Sequence, residues 1–218
     1  MPAGTATVMA AADELVATAF LLMAVVGSGI MAERLSGGNM GVALLANSAA
    51  TGCALVALIL TFGPRSGAHM NPAVTIAAAW AGELRWRTAW AYAAAQVAGA
   101  ILGVWLTHAM FELPILQAGQ HARTGLGQWI AEAVATAGLL GVIWGSRVHR
   151  EPAPAFAVGA YIAGAYWFTA STSFANPAVT IARGLTDTFS GIRPLDAPAF
   201  IGAQAIGAVI ACAYWRRR

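Results

Sequence analysis

The chain contains no lysine: its 12 basic residues are all arginine, and charged residues of either sign make up 10% of its 218 positions. A net charge of +3, carried by arginines scattered among apolar runs, lacks the clustering that nucleic-acid binding requires. Cysteine is equally scarce. Cys53 and Cys212 lie in separate apolar stretches without metal-ligand spacing, which supports neither a disulfide framework nor a zinc site and leaves them as small packing residues. His69, His108, His121 and His149 are dispersed, so the chain offers no metal cluster and no grouping of nucleophile and base for a membrane enzyme. No cofactor is expected.

What is abundant is hydrophobicity, at 59% of residues with a mean hydropathy of +0.66. This composition predicts one integral membrane domain over residues 1–218, with the lipid bilayer as its surroundings. The first apolar run follows Asp13 and Glu14 instead of a basic leader region, so it is expected to be retained as the first span. A bilayer core about 30 Å thick needs roughly 20 apolar residues. Stretches near 12–32, 41–62, 88–111, 128–146, 154–172 and 197–215 qualify. Residues 64–85 contain Arg65, His69, Asn71 and two prolines, too polar for a lipid-facing crossing, yet they end in the apolar VTIAAAWAG. That segment is predicted to dip in and return. About twelve residues from Asn71 would make a helix of roughly 18 Å, reaching the midplane, and the segment from Asn176 is expected to behave alike.

The sequence NPAVTIA occurs at Asn71 to Ala77 and again at Asn176 to Ala182. Other landmarks recur with it: Glu14 and Glu132 sit inside spans, and AQVAGA at Ala95 to Ala100 is echoed by AQAIGA at Ala203 to Ala208. The chain reads as two halves, 1–112 and 126–218, with three spans each. An odd number of spans inverts the second copy relative to the first. The predicted fold class is therefore an all-α membrane protein with six transmembrane helices and two re-entrant half-helices in an inverted repeat.

Asn71-Pro72-Ala73 and Asn176-Pro177-Ala178 each put a side-chain amide, a helix-starting proline and free backbone N–H groups at one point. Where two such points meet, helix dipoles of about half a charge each and two amides orient a water or hydroxyl oxygen and repel cations. An ion entering low dielectric faces a nominal cost of about 20 kcal/mol, whereas a neutral polyol or hydroxide loses a few kcal/mol per unpaired group. Uncharged solutes should pass preferentially. The competing reading is that the asparagines merely cap two buried helices, and the two roles are compatible. With both termini inside, Arg65, Arg85, Arg87, Arg147, Arg150 and Arg216 to Arg218 fall on the cytoplasmic side, against Arg34, Arg123, Arg183 and Arg193 outside. Trp86, Trp90, Trp129 and Trp215 lie near span ends and read as interfacial belt residues.

Through SGAHMNPAVT at Ser66 to Thr75, the second NPA and the paired Glu14 and Glu132, the chain resembles the aquaporin and aquaglyceroporin (major intrinsic protein) family over essentially its whole length. The resemblance implies one pore per protomer, usually in a homotetramer in the inner (plasma) membrane. It also implies a four-residue filter whose typical arginine directly follows the second NPA. Here that position is Val179, and the family's offsets place the other members at Thr51, Gly164 and Ser173. Such a filter is small and uncharged, without the histidine and arginine of water channels or the aromatic wedge of glycerol facilitators. Valine after the motif, followed by TIARGLTDTFSGIRP, looks like bacterial aquaglyceroporins associated with arsenic resistance.

For Glu14 and Glu132 the resemblance implies support of the half-helix loops, with a proton relay as the competing role. His69 is expected to brace its loop, with pore lining or pH sensing second. Arg183, one turn after Val179, either places a charge in the vestibule or stabilises the half-helix end by pairing with Asp187. The leading expectation is a passive channel for small neutral solutes, metalloid hydroxides such as arsenous acid with glycerol and water. An ordinary glycerol and water facilitator and a proton-coupled transporter are the alternatives.

Overall fold

The structure, a computed structural model, describes residues 3–149 and 152–215. Arg150 and Arg216 to Arg218, half of the basic set used for orientation, lie outside the described residues. Eight α-helices occur among the described residues: α1 (Ala3–Leu35), α2 (Met40–Ser66), α3 (Pro72–Trp80), α4 (Trp86–Met110), α5 (Leu126–Ser146), α6 (Ala153–Phe168), α7 (Pro177–Arg183) and α8 (Ala197–Trp215). Five of them, α1, α2, α4, α5 and α8, are long and apolar enough to cross a membrane.

The sixth crossing departs from expectation. Helix α6 stops at Phe168, short of residue 172, and at 16 residues is about 24 Å long. Thr169 turns extended there (φ −114°, ψ 135°), and its hydroxyl donates to the Ala165 carbonyl at 2.6 Å. Residues 169–175 finish the crossing as loop. Helix α2 errs the other way: it runs through Pro64 to Ser66 before Gly67, at φ 90°, caps it. A proline near a helix end removes only one ladder bond.

Both half-helices are shorter than twelve residues. Helix α3 has 9 residues and ends where Gly82 turns at φ 81°, and α7 has 7 and ends at Gly184. After Gly184 the chain folds back, with the Ile192 N–H donating to the Arg183 carbonyl at 3.1 Å.

Helix α1 packs along α4 as α5 packs along α8, and the repeated AQxxGA motif explains the match. Gly99 of α4 lies against the carbonyl of Leu15, and Gly207 of α8 against the carbonyl of Ala133. A methyl group at either glycine would collide with that backbone. Each glycine therefore seats its helix directly beside the residue that follows Glu14 or Glu132. Gly52 and Gly159 make the equivalent close approach between α2 and α6.

The outer surface is apolar, with Leu45, Leu102, Leu106, Ile206, Val209 and Ile210 exposed. Trp86 and Trp90 pair at the start of α4, and Trp215 packs on Trp144 at the end of α8. Trp129 packs partly buried against the core, and its indole nitrogen has no acceptor among the described residues. Cys212 is buried as a packing residue, whereas Cys53 is exposed on the outside of α2.

Candidate functional site

The loops that precede α3 and α7 have nearly the same backbone. Ala68 and Met70 in the first, and Ser173 and Ala175 in the second, take φ between 47° and 50°. Non-glycine residues there carry strain on the order of 1 kcal/mol or more each, so something must hold the loops in place.

Two buried carboxylates do so. Glu14 Oε1 accepts from the Ser66 hydroxyl (2.7 Å) and the His69 N–H (2.9 Å), while its Oε2 accepts from the Met70 N–H (2.7 Å) and Gln96 Nε2 (2.7 Å). Glu132 repeats the pattern, with Oε1 accepting from Ser171 (2.6 Å) and the Phe174 N–H (2.8 Å), and Oε2 from the Ala175 N–H (2.9 Å) and Gln204 Nε2 (2.6 Å). Four hydrogen bonds thus converge on each carboxylate, and both are fully buried. Gln96 and Gln204 also donate to Thr75 and Thr180, each at 2.9 Å. Each bracket thus ties a span, a loop, a half-helix and the next long helix into one unit.

The loops are then stitched to each other. Asn71 Nδ2 donates to the Ala175 carbonyl at 2.8 Å, and Asn176 Nδ2 donates to the Met70 carbonyl at 2.7 Å. Each Oδ1 caps its own half-helix by accepting from the Ala73 N–H (2.9 Å) or the Ala178 N–H (3.0 Å). An amide nitrogen carries two hydrogens, so one remains on each asparagine after the cross-bond. Asn71 and Asn176 both border a lumen of about 710 Å³. Capping and lining coexist, and Pro72 and Pro177 occupy first-turn positions where no donor is needed. Ala73 and Ala178 are buried behind them.

The lumen is lined by apolar side chains, including Leu21, Val25, Leu55, Leu139 and Ile162, and by polar ones, Thr51, His69, Asn71, Ser173, Asn176 and Arg183. Val179 lies on it beside Ser173 and Phe174. Gly164 does not. It is exposed on the outer side of α6, where an added Cβ would meet only Phe168 at 4.0 Å. The residues of that helix turn that reach the lumen are Ile162 and Tyr166, and the Tyr166 hydroxyl lies 3.3 Å from Thr51 Oγ1. Two residues rotate a helix by about 200°, which carries the position from one face to the other.

His69 borders the lumen; its backbone N–H donates to Glu14, and its Nδ1 lies 3.1 Å from Thr75 Oγ1. Arg183 does not pair with Asp187. Instead its Nε donates to the Ser190 carbonyl and its guanidinium lies over the Phe174 ring at 3.5 Å. Asp187 accepts from the Gln120 N–H. Arg123 approaches the same ring at 5.2 Å, and burial pushes its guanidinium below its ordinary pKa. At the other mouth, beside Gly63 and Pro64, Arg147 is ion-paired with Glu83. Among the described residues no group of His, Cys, Asp and Glu could hold a metal ion.

Sequence reasoning missed Gln96, Gln204, Ser66 and Ser171. The signals were present: the glutamines sit inside the repeated AQxxGA, and each serine lies five residues before its asparagine.

These features define a multi-pass helical membrane protein built around a solute-sized lumen. The family profile described as major intrinsic protein matches residues 5–154. The aquaglyceroporin AqpS of Rhizobium meliloti is 54% identical over 204 residues, covering 93% of this chain and 87% of that protein. A probable aquaporin AqpM of Archaeoglobus fulgidus is 34% identical over 171 residues, covering 72% of this chain and 70% of its own. In the solved structures, the aquaglyceroporin from Plasmodium falciparum superposes with a TM-score of 0.74 over 96% of this chain and 95% of its own, at 21% identity, a likeness of fold. The chain belongs to the major intrinsic protein family, whose members are membrane channels rather than enzymes.

Proposed function

We propose that the chain is a passive pore for small uncharged solutes, with metalloid hydroxides such as arsenous acid as its distinguishing cargo and glycerol and water as companions. The observation that carries this reading is Val179 on the lumen wall, where the family resemblance leads one to expect arginine. A valine there widens the passage and removes a donor. The solute then meets apolar side chains together with the free amide hydrogens of Asn71 and Asn176, an arrangement that accepts hydroxyl oxygens and strips little else. Cations meet donors only, at a point where two helix N-termini converge. The aquaglyceroporin relative supports glycerol as cargo.

Thr51, Ser173 and Val179, with Tyr166 in place of Gly164, form the filter in this reading. Glu14 and Glu132 are supports. A carboxylate has roughly four acceptor sites, and all are occupied in each bracket, so taking up a proton would displace a loop donor. This favours a pore over a proton-coupled cycle. The whole chain acts as one domain of two halves, 1–112 and 126–218, in a homotetramer of the plasma membrane with both termini cytoplasmic. Stopped-flow measurements on proteoliposomes test the proposal: arsenous acid and glycerol should both enter well above protein-free vesicles, and at the same rate after the proton gradient is collapsed. Flux of glycerol and water without arsenous acid would reduce the protein to an ordinary facilitator. Accumulation against a gradient would make it a transporter.

A further inference from the structure

Arg183 is 2% exposed, and no carboxylate accepts from it among the described residues. Of its five N–H donors, the one on Nε is taken by the Ser190 carbonyl, and the terminal nitrogens have no acceptor from the described residues. One face of the guanidinium is covered by Phe174 at 3.5 Å, which fixes its plane. What remains free is the donor edge, and Arg183 borders the lumen.

A second, independent orphan lies close by in the wall. Ser173 borders the same lumen, and its buried hydroxyl has no hydrogen-bond partner among the described residues. Thr51 and Tyr166 add a hydroxyl pair to that wall. A buried polar group without a partner costs about 1–3 kcal/mol, which applies to the Ser173 hydroxyl; together with the arginine donor edge at the same lumen it points to a ligand supplying oxygen acceptors.

We propose that Arg183, Ser173 and the Thr51–Tyr166 pair form a docking station for compact oxyacids, in which the guanidinium edge accepts the singly charged anion as well as the neutral acid. The inference rests on the channel reading and deepens it. Val179 leaves the passage wide, and one turn further along the same half-helix face, about 6 Å away, the chain places the cation that Val179 lacks. A planar fork binds two oxygens of one solute, whereas a polyol offers no charge to match it. Monoanionic oxyanions therefore occupy the station and compete with neutral solutes for passage.

The test is glycerol influx into proteoliposomes at constant ionic strength, with sodium gluconate progressively replaced by sodium nitrate or formate. In the parent, nitrate and formate should slow glycerol influx in a saturable way. In Arg183→Gln the half-inhibitory concentration, referred to the variant's own uninhibited rate, should rise about tenfold or more. Arg183→Lys should fall between, because a point charge replaces the fork, and Ser173→Ala should show a smaller loss; these two carry the test should Arg183→Gln not fold. Robust glycerol influx in the parent with no anion competition overturns the station and leaves the channel reading standing. Equal inhibition in the parent and in every folded variant also overturns it. Absence of glycerol influx in the parent removes the channel reading and the station with it.

Discussion

The two loops that meet at the asparagines are held by the same bracket but face the lumen with different chemistry. Residues 66–71 and 171–176 share the serine, the glutamate above it, the glutamine beside it and the left-handed turns. Their fourth members differ: His69 turns its imidazole to Thr75 and lies edge-on to Tyr92, whereas Phe174 is overlain by Arg183 and approached by Arg123. The repeated residues are the ones that brace the strained turns inside the membrane. A duplicated scaffold can thus keep its mechanics in both halves while one half specialises its mouth.

If the brackets are mechanical equals, breaking either should cost alike. Glu132→Gln replaces one acceptor oxygen by a donor facing two donors, and should destabilise the protein by about 2 kcal/mol or more; Glu14→Gln should match it within about 1 kcal/mol. Thermal melts of the detergent-solubilised protein check this, and a large disparity would mean that one carboxylate has another task. A smaller effect is expected from Asn71→Asp and Asn176→Asp, in which an anionic acceptor replaces the amide whose nitrogen now donates across to the other loop. Each should admit a measurable cation current in planar bilayers, of similar size for the two. Cation-tight variants with unchanged solute flux would remove the asparagines from the lumen site. Smallest is the loss of the outer support: Thr75→Val and Thr180→Val each delete one acceptor of a buried glutamine and should cost about 1 kcal/mol. Thr75→Val should be the larger, because His69 loses its partner too.

Much of this organisation was legible in the sequence because duplication marks it. The NPA pair, Glu14 with Glu132, and the AQxxGA echo name most of the bracket before any coordinates, although only the fold shows Gln96 and Gln204 reaching those carboxylates. Helix ends were less legible, since hydropathy runs on through Phe168 and Thr169 while the backbone has already turned extended. The Gly164 position failed for a geometric reason: on a helix, an offset of two residues points to the opposite face, and only packing against α2 shows that Tyr166 looks inward. The spacing from Val179 places Arg183 one turn along α7, but its stacking on Phe174 depends on a loop that no periodicity describes.

The most direct test of the account is the flux ratio in Val179→Arg, measured by stopped-flow on proteoliposomes of the parent and the variant with water, glycerol and arsenous acid in parallel. A long cationic side chain at that point narrows the passage and supplies donors that water can use. The account predicts that arsenous acid and glycerol flux fall by a larger factor than water flux. Undiminished arsenous acid flux in a correctly folded variant would contradict it, because residue 179 would then have no part in selecting what passes.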